Sequence, residues 1–413
     1  YQEVTGVQTC ALPIFLAPCF STMEKNNRDV CMVLVILLSL TLVIWILATI
    51  DALIGFRKLE SLEKAEAAGR GPLLSVIVAA RNEEEHILQS IRTQLAQTYK
   101  NTEWILVNDR SEDCTGKKME NLKSSDSRIR VIHIESLPEG WLGKNHALHK
   151  GYQLATGKLI LFTDADVLYS PEAFSKAIGY FEKHSLDHLT AAPNLSAKPF
   201  WLKAFVAFYK FGFSYYKRPW LGNNPRSKTG VGIGAFNMIT RSAYEKVGTH
   251  EYIKMRPDDD LQLGMMVKRM GLKQRIVTAM TLIEVEWYQS LSDALAGLEK
   301  NTFAGLHYRI SMVLFSVFGV FVSQVVPFFT LFSKNQAVTI LSAVNLVFLA
   351  LLYVMVTKKM TRFSPWLFFV LPFTALLFIF SILRASYLTF KRGGIIWRGT
   401  KYTLAELRKN RIR

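Results

Sequence analysis

The sequence predicts an α/β domain with a largely parallel sheet, held between one N-terminal and about three C-terminal transmembrane helices. Short β-branched runs alternate with helical patterns from Pro72 to about Ile283, as expected for a domain built on a parallel sheet. Apolar runs long enough to cross a hydrocarbon core of about 30 Å flank this region. Half of the residues are hydrophobic, yet the chain carries a formal net charge of +17. This combination is typical of a membrane protein that faces an anionic leaflet.

The apolar runs define the expected membrane segments. The first transmembrane helix is predicted within residues 32–56, directly before Arg57 and Lys58. Further helices are predicted within residues 310–383, at about Ile310 to Phe332, Ala337 to Val356 and Pro365 to Leu383. Basic residues concentrate at the membrane edges and in the tail, 384–413, and form no groove-like stripe, so nucleic acid is not an expected partner.

The basic loops conflict with a simple topology. Lys358, Lys359 and Arg362 lie in one short loop, and the tail is also rich in Lys and Arg. The positive-inside rule favours the cytoplasmic side for both, but three simple spans after a cytoplasmic domain would separate them. Either one run is re-entrant or split, with the Gln324 and Pro327 segment as a candidate, or the tail breaks the rule.

The first residues are expected to be foreign to the protein. Val4 to Ile14 resembles the translation of a sequencing adapter, so residues 1–22 are interpreted as an upstream artefact and Met23 as the true start. Cys31 and Cys114 then remain, and two such cysteines provide neither a disulfide framework nor a C-x-x-C metal site.

Four buried strands are predicted in the central region: Leu73 to Ala79, Trp104 to Val107, Arg130 to Ile134 and Leu159 to Phe162. Asn82 to Gln97 is predicted as the first crossover helix, with Asn82 as its N-cap. Ligands bind at the carboxyl ends of strands in such sheets. The polar segments Arg81 to Glu84, Asn108-Asp109 and Asp164-Ala165-Asp166 all follow strands, so they are expected to meet at one crevice.

Several of these residues have a specific chemistry. Asp164 and Asp166 project to the same side and can share Mg²⁺ or Mn²⁺ with substrate phosphates. Lys144 precedes a predicted helix near Asn145, where a cation and free backbone N–H groups suit a phosphate. The clustered acids of Asp258 to Asp260 raise one another's pKa, which favours a proton-accepting carboxylate near neutral pH.

A glycine-rich and a lysine-containing segment each allow more than one interpretation. Gly230 to Gly234 lacks the full G-x-G-x-x-G spacing of a dinucleotide site, so flexible backbone near an acceptor is favoured instead. Lys203, Lys210 and Lys217 form a stripe on a predicted helix from Phe200 to Trp220. That helix is expected either to lie in the membrane interface or to pack as an ordinary domain helix with a solvated face.

With these motifs in this order, Leu73 to Tyr308 resembles a family 2 glycosyltransferase of the GT-A fold, and the domain is set at residues 72–308. A narrower resemblance is to bacterial enzymes that glycosylate membrane lipids, including carotenoid- and hopanoid-associated ones. It rests on four segments: Gly140 to Lys144, Gly232 to Tyr244, Lys300-Asn301 and Gly394 to Gly399.

The resemblance implies a role for each candidate residue. Asp109 would hold a uracil ring, and Arg81 and Glu83 would line the base and its ribose. Lys144 would bind the diphosphate, and Asp164 would take part in nucleotide-sugar binding. Asp166 with Asp164 would bind the metal, Asp166 as the direct ligand. Asp260 would be the catalytic base with Asp259 as its partner.

The predicted function is an inverting, metal-dependent transfer of sugar from a nucleotide-sugar, such as a UDP-sugar, to a membrane lipid such as a carotenoid or hopanoid. The expected location is the bacterial inner membrane, multi-pass, with a cytoplasmic catalytic domain. One alternative is a processive polysaccharide synthase, but its Q-x-x-R-W motif is absent and Trp287 to Ser290 stands in that region. The sequence is also compatible with a polyprenyl-phosphate glycosyltransferase and with a non-catalytic membrane scaffold that has inherited the fold.

Overall fold

The computed structural model describes residues 17–397 and 400–405. Most of the segment 1–22 therefore lies outside the described residues, as do Arg398 and Gly399 of the quoted tail motif. The helices, in chain order, are α1 (Ala17–Arg57), α2 (Ile87–Leu95), α3 (Thr115–Ser125), α4 (Gly143–Leu154), α5 (Ala173–Lys183), α6 (Phe200–Lys217), α7 (Arg241–Lys246), α8 (Thr249–Tyr252), α9 (Asp259–Arg269), α10 (Leu291–Gly297), α11 (Glu299–Gly305), α12 (Ile310–Gln324), α13 (Val326–Thr330), α14 (Gln336–Met360) and α15 (Leu371–Arg392).

One mixed sheet forms the centre of the α/β domain. Its eight strands are β1 (Leu74–Ala80), β2 (Thr102–Asp109), β3 (Ile129–Ile134), β4 (Leu159–Asp164), β5 (Val167–Tyr169), β6 (His188–Ser196), β7 (Asn237–Thr240) and β8 (Gln274–Glu286). They lie in the order β3-β2-β1-β4-β7-β6-β8-β5. Strands β3, β2, β1 and β4 run parallel, whereas β7 is antiparallel to both of its neighbours. The four predicted strands are confirmed, with ends shifted by one or two residues.

The first crossover helix begins later than the sequence indicates. Helix α2 starts at Ile87, so the prediction of a helix from Asn82 with Asn82 as its N-cap is wrong. Asn82 has a positive φ of 54°, and its side-chain oxygen accepts a hydrogen bond of 2.9 Å from the Glu112 backbone N–H. Asparagine is one of the few residues that adopt this conformation readily. The segment after β1 is therefore a loop at the edge of the sheet, where a ligand can reach it.

Among the described residues, four segments are long and apolar enough to cross a membrane: Arg28–Arg57, Ile310–Thr330, Gln336–Met360 and Pro365–Arg392. The predicted fold class, a mixed α/β domain with one N-terminal and three C-terminal apolar helices, is confirmed. The second segment is split into α12 and α13 near Pro327, a residue that cannot donate to a helical hydrogen bond. The side chain of Gln324 at this break is buried and donates to the Tyr215 hydroxyl at 3.0 Å.

Both ends of the last apolar segment contact the central domain. Near its start, the Phe373 ring lies 6.4 Å from the Trp201 ring of α6. At its end, Arg392 forms an ion pair of 2.7 Å with Glu299 of α11. The chain then turns into an antiparallel hairpin of β9 (Gly394–Trp397) and β10 (Thr400–Thr403). The first part of the predicted basic tail thus belongs to α15 and to this hairpin.

Helix α6 is a packed element of the domain. Lys210, in the middle of the predicted lysine stripe, is only 7% exposed. Phe205 is buried with residues of the sheet, and Phe208 and Phe211 are buried against α14 and α15. The expectation of a continuous basic surface on this helix is therefore wrong, because its middle lies between the sheet and the apolar helices.

Candidate active site

A cavity of about 680 Å³ opens at the carboxyl ends of β1, β2 and β4. It is lined by all the predicted nucleotide-sugar and metal residues: Arg81, Glu83, Asp109, Lys144, Asp164 and Asp166. Because parallel strands end at the same edge of a sheet, three separate loops contribute to one wall. The expected crevice is present, and the predicted acids and cations meet there.

Asp109 is held by a neighbour that the sequence patterns do not single out. The guanidinium of Arg110 donates to both carboxylate oxygens of Asp109, from Nε at 2.7 Å and from Nη2 at 3.1 Å. Such a bidentate pair fixes the plane of the carboxylate. Asp109 is only 4% exposed, so a base that contacts it would meet a rigid, oriented group.

A close approach of Gly143 brings helix α4 onto this pair. A Cβ atom on Gly143 would lie 2.4 Å from Asp109 Oδ2 and 2.6 Å from Arg110 Nη2, so a larger residue would displace this pair. The side-chain amide of Asn145 donates to the carbonyls of Ile253 and Arg256, each at 2.9 Å. These contacts fix the start of α4 between β2 and the loop that leads to the acidic run.

Lys144 lies between the acids at the end of β4 and the acidic run 258–260. Its Nζ lies 2.7 Å from Asp164 Oδ1 and 3.9 Å from Asp259 Oδ1. Burial disfavours the charged ammonium and lowers the pKa of Lys144. The negative charges of Asp164, Asp259 and Asp260 outweigh this effect, so the pKa is raised. Lys144 is therefore a permanent positive charge at the point where the cavity meets the acidic run.

Asp164 and Asp166 provide carboxylate oxygens at the end of β4, with the buried Ala165 between them. Among the described residues, no three His, Cys, Asp or Glu side chains converge as a complete metal site. Mg²⁺ commonly binds one or two carboxylates and completes its shell with water and substrate phosphates. The two carboxylates therefore fit a metal that Asp166 and Asp164 share with a diphosphate.

The three acids of the run Asp258 to Asp260 have different surroundings. Asp258 pairs with Arg256 at 2.9 Å. Asp259 is 4% exposed and lies 3.8 Å from His250 Nε2. Asp260 accepts hydrogen bonds from the backbone N–H of Gly234 at 2.6 Å and of Leu261 at 2.7 Å.

Of these three acids, Asp260 combines an elevated pKa with a place beside Lys144 and Asp164. Burial and the nearby charge of Asp259 raise the pKa of Asp260 to about 7. A carboxylate that titrates near neutral pH is suited to general base catalysis. The backbone of Gly234 lies between Asp164 and Asp260, since a Cβ atom on Gly234 would be 2.7 Å from Asp164 Oδ2.

Several lining residues besides Arg110 are not identified as site residues by any sequence motif, among them Trp287, Tyr288, Glu299, Arg392 and Tyr402. Trp287 and Tyr288 follow β8, and the Trp287 ring lies 4.6 Å from the Tyr209 ring of α6. Burial and the charge of Asp260 raise the pKa of Tyr209 to about 12. An aromatic surface therefore extends from α6 toward the acidic run, and no local motif marks it in the sequence.

Residues 75–248 match the family model described as "Glycosyl transferase family 2". This part of the chain is a glycosyltransferase family 2 domain. The match contains Asp109, Lys144, Asp164 and Asp166, whereas Asp260 follows it in the chain. The site geometry and the family match thus refer to the same region.

Curated relatives of the family 2 domain are glycosyltransferases by name. The chain is 38% identical over 120 residues to an uncharacterized glycosyltransferase of Haemophilus influenzae, covering 29% of this chain and 35% of that protein. It is 32% identical over 117 residues to the UDP-Glc:alpha-D-GlcNAc-diphosphoundecaprenol beta-1,3-glucosyltransferase WfgD of Escherichia coli, covering 28% of this chain and 44% of that protein. The match thus spans well under half the length of either relative.

A solved structure shows a similar fold over most of the chain. The mannosyltransferase PcManGT from Pyrobaculum calidifontis, in complex with GDP-Man and Mn²⁺, aligns with a TM-score of 0.51 and 14% identity. The alignment covers 86% of this chain and 98% of that chain. At this identity the similarity concerns the fold, which is of the GT-A type.

Proposed function

We propose that this protein is an inverting, metal-dependent glycosyltransferase that moves a sugar from a nucleotide-sugar to a membrane lipid. The observation that carries the proposal is the convergence of Asp109, Lys144, Asp164 and Asp166 on one cavity, with Asp260 beside Lys144 and Asp164. A nucleoside diphosphate-sugar needs a polar clamp for the base, positive charge for the phosphates and a base for the acceptor. Each of these groups has a candidate here.

The donor would lie along the edge of the sheet. Asp109, fixed by Arg110, would accept hydrogen bonds from the nucleobase, and Arg81 and Glu83 would contact the base and ribose. Lys144 and the N-terminus of α4 would bind the diphosphate. Asp166, with Asp164, would hold Mg²⁺ or Mn²⁺, which lowers the charge on the departing phosphate when bound.

Asp260 would act on the acceptor. As the acceptor oxygen forms its bond to the anomeric carbon, its proton passes to the Asp260 carboxylate. The bond from the anomeric carbon to the diphosphate breaks, and the nucleoside diphosphate leaves with that electron pair. Attack from the face opposite the leaving group inverts the anomeric configuration. Asp259 would support the base by raising its pKa.

A membrane lipid is the acceptor that best suits the surroundings of Asp260. Apolar helices precede and follow the domain, and the ring of Tyr209, whose pKa the charge of Asp260 raises, packs against Trp287, which in turn packs against Tyr288. We propose an isoprenoid acceptor, with a carotenoid or hopanoid as the leading candidate. The name of WfgD includes a diphosphoundecaprenol-linked acceptor, which favours a polyprenyl-linked acceptor as the second candidate.

The proposed setting is the inner membrane of a bacterium, with the domain of residues 72–308 on the cytoplasmic side. A transfer assay with the chain in detergent tests the function. UDP- and GDP-sugars are supplied with Mn²⁺ or Mg²⁺ and with carotenoid, hopanoid or polyprenyl-phosphate acceptors. Metal-dependent sugar transfer supports the proposal. Absence of both transfer and donor hydrolysis, in a folded sample that binds no nucleoside diphosphate, would favour a scaffold instead.

A further inference from the structure

The cavity has a second wall, built by the end of the chain. Arg392, the last residue of α15, and Tyr402 of β10 line the cavity together with the residues at the strand ends. We propose that Arg392 binds the diphosphate of the donor, and that the hairpin of β9 and β10 holds it at the cavity. This inference rests on the proposed function, because it assigns Arg392 to the same donor.

The hairpin is anchored at the helix end that carries Lys144. The Tyr402 hydroxyl accepts a hydrogen bond of 3.4 Å from the Gly143 backbone N–H. Tyr402 is 6% exposed, and Ile395 of β9 is 1% exposed in a cluster that includes Leu142. Since Arg392 is separated from β9 by Gly393 alone, this anchor restricts where its guanidinium can reach.

The pairing of Arg392 allows it to move toward a ligand. Glu299 accepts from Arg392 Nη1 at 2.7 Å and also from Arg384 Nη1 at 3.3 Å. The Glu299 side chain is 13% exposed and that of Arg392 is 37% exposed. If Arg392 turns to a phosphate, Glu299 keeps Arg384 as its partner. The move therefore leaves no buried carboxylate unpaired, which would be the main obstacle.

The Arg392 guanidinium adds to the positive charges near the strand ends. Lys144 contacts Asp164, and Arg110 contacts Asp109, so both of these cations are shared with acids. Arg392 would supply the diphosphate with a positive charge in addition to those of Lys144 and the proposed metal. Arginine binds phosphate oxygens with two parallel hydrogen bonds, and Arg392 lines the same cavity as Lys144 and Asp166.

A purely structural role for the Arg392–Glu299 pair makes a different prediction. If the pair only pins α15 to α11, then Arg392→Gln and Glu299→Gln both weaken that contact and change UDP affinity in the same direction, Glu299→Gln by at least as much because Glu299 also pairs with Arg384. If Arg392 binds phosphate, Arg392→Gln removes a ligand, whereas Glu299→Gln releases the ligand and removes a negative charge from the cavity. The two substitutions then change nucleotide affinity in opposite directions.

Isothermal titration of the full chain in detergent, with Mn²⁺ present, tests this. For Arg392→Gln we expect UDP to bind about tenfold more weakly, the loss of one charged contact, while uridine binds as before. For Glu299→Gln we expect UDP affinity to increase, because a negative charge leaves the cavity and Arg392 is released. Lys391→Gln is the matched control, because Lys391 is exposed on the same helical turn and does not line the cavity. Thermal unfolding of each variant confirms that it is folded.

Equal UDP affinity of Arg392→Gln and wild type, or a parallel loss in Arg392→Gln and Glu299→Gln, would overturn the inference while leaving the proposed function intact. If the variant does not fold, Arg392→Lys takes its place and is expected to retain part of the affinity. Failure of the wild-type chain to bind either UDP or GDP would instead overturn the proposed function itself.

Discussion

At the scale of single residues, the acidic run shows how surroundings separate three identical side chains. Asp258 is neutralised by Arg256, and Asp259 lies between His250 and Lys144. Asp260 receives two backbone hydrogen bonds, yet burial and Asp259 raise its pKa to about 7. The sequence places three acids together, and the packing around them distinguishes the base candidate.

Asp260→Asn is expected to lower kcat by about 10²- to 10⁴-fold, the usual contribution of a general base, with donor affinity unchanged. A base accepts a proton only when it is ionised. In the wild type, kcat/KM should therefore rise with pH through about 7, and the residual activity of the variant should lose this dependence. Steady-state kinetics from pH 5 to 9 measure both, with Asp258→Asn as control. An active Asp260→Asn beside an inactive Asp259→Asn would move the base to Asp259.

Lys144→Ala is expected to weaken donor binding and also to change the pH profile. Lys144 lowers the pKa of Asp260, so its removal should move the rise in kcat/KM to higher pH. Donor KM and the pH profile are measured together. Lys150→Ala, an exposed lysine on the same helix, is the control. An unchanged donor KM would remove Lys144 from the phosphate site, and an unmoved pH profile would separate it from Asp260.

At the scale of elements, the sequence predicts the strands well and the loops poorly. Strands β1, β2 and β4 are found because their β-branched runs are buried by the sheet itself. The loop after β1 is mistaken for a helix because the hydrogen bond from Glu112 to Asn82 joins residues distant in the chain. Asp109 is found at the end of its strand, but its pairing with Arg110 depends on side-chain geometry. Arg392 is missed because only the folded α15 brings it to the cavity.

Gly234→Ala tests whether the Gly234 backbone must approach Asp164 and Asp260 as closely as it does. A Cβ there would lie 2.7 Å from Asp164 Oδ2 and 3.4 Å from Asp260 Oδ2. Displacing either carboxylate by a fraction of an ångström is expected to lower kcat by about 10²-fold. Gly212→Ala is the control, because its Cβ would meet no atom within 4 Å, and alanine stabilises a helix by about 0.5–1 kcal/mol. Wild-type activity of Gly234→Ala would mean that the acids tolerate movement.

At the scale of the whole molecule, the basic end of α14 and the basic end of α15 both lie against the central domain. Lys359, near the end of α14, lines a cavity with Arg57 and Glu60 next to the central domain. Helices α1 and α14 run parallel, since Asn345 contacts the Leu38 carbonyl at 2.9 Å while their other ends meet at this cavity. Arg392 lines the donor cavity of the same domain. The last apolar segment therefore begins and ends at the domain.

This arrangement reconciles the chain with the positive-inside rule. If the Pro365–Arg392 segment lies along the membrane surface beside the domain and does not cross, the loop with Arg362 and the end of α15 both face the catalytic side, and only three segments cross. The outward residues Trp366, Phe369 and Phe373 are more than half exposed in the protein, as expected for side chains that contact lipid. The hairpin that reaches Gly143 also requires the chain end to lie on this side.

Single cysteines in a chain with Cys10, Cys19, Cys31 and Cys114 replaced by serine test this topology. An impermeant maleimide applied to inside-out vesicles is expected to label Arg362→Cys and Lys391→Cys equally, because both positions face the catalytic side. Lys334→Cys, in the loop between α13 and α14, should react only in right-side-out vesicles. All three residues are exposed, so accessibility within the protein does not limit labelling. Labelling of Arg362→Cys and Lys391→Cys from opposite sides would mean that the last segment crosses the membrane, and the hairpin would then be unable to reach the donor cavity.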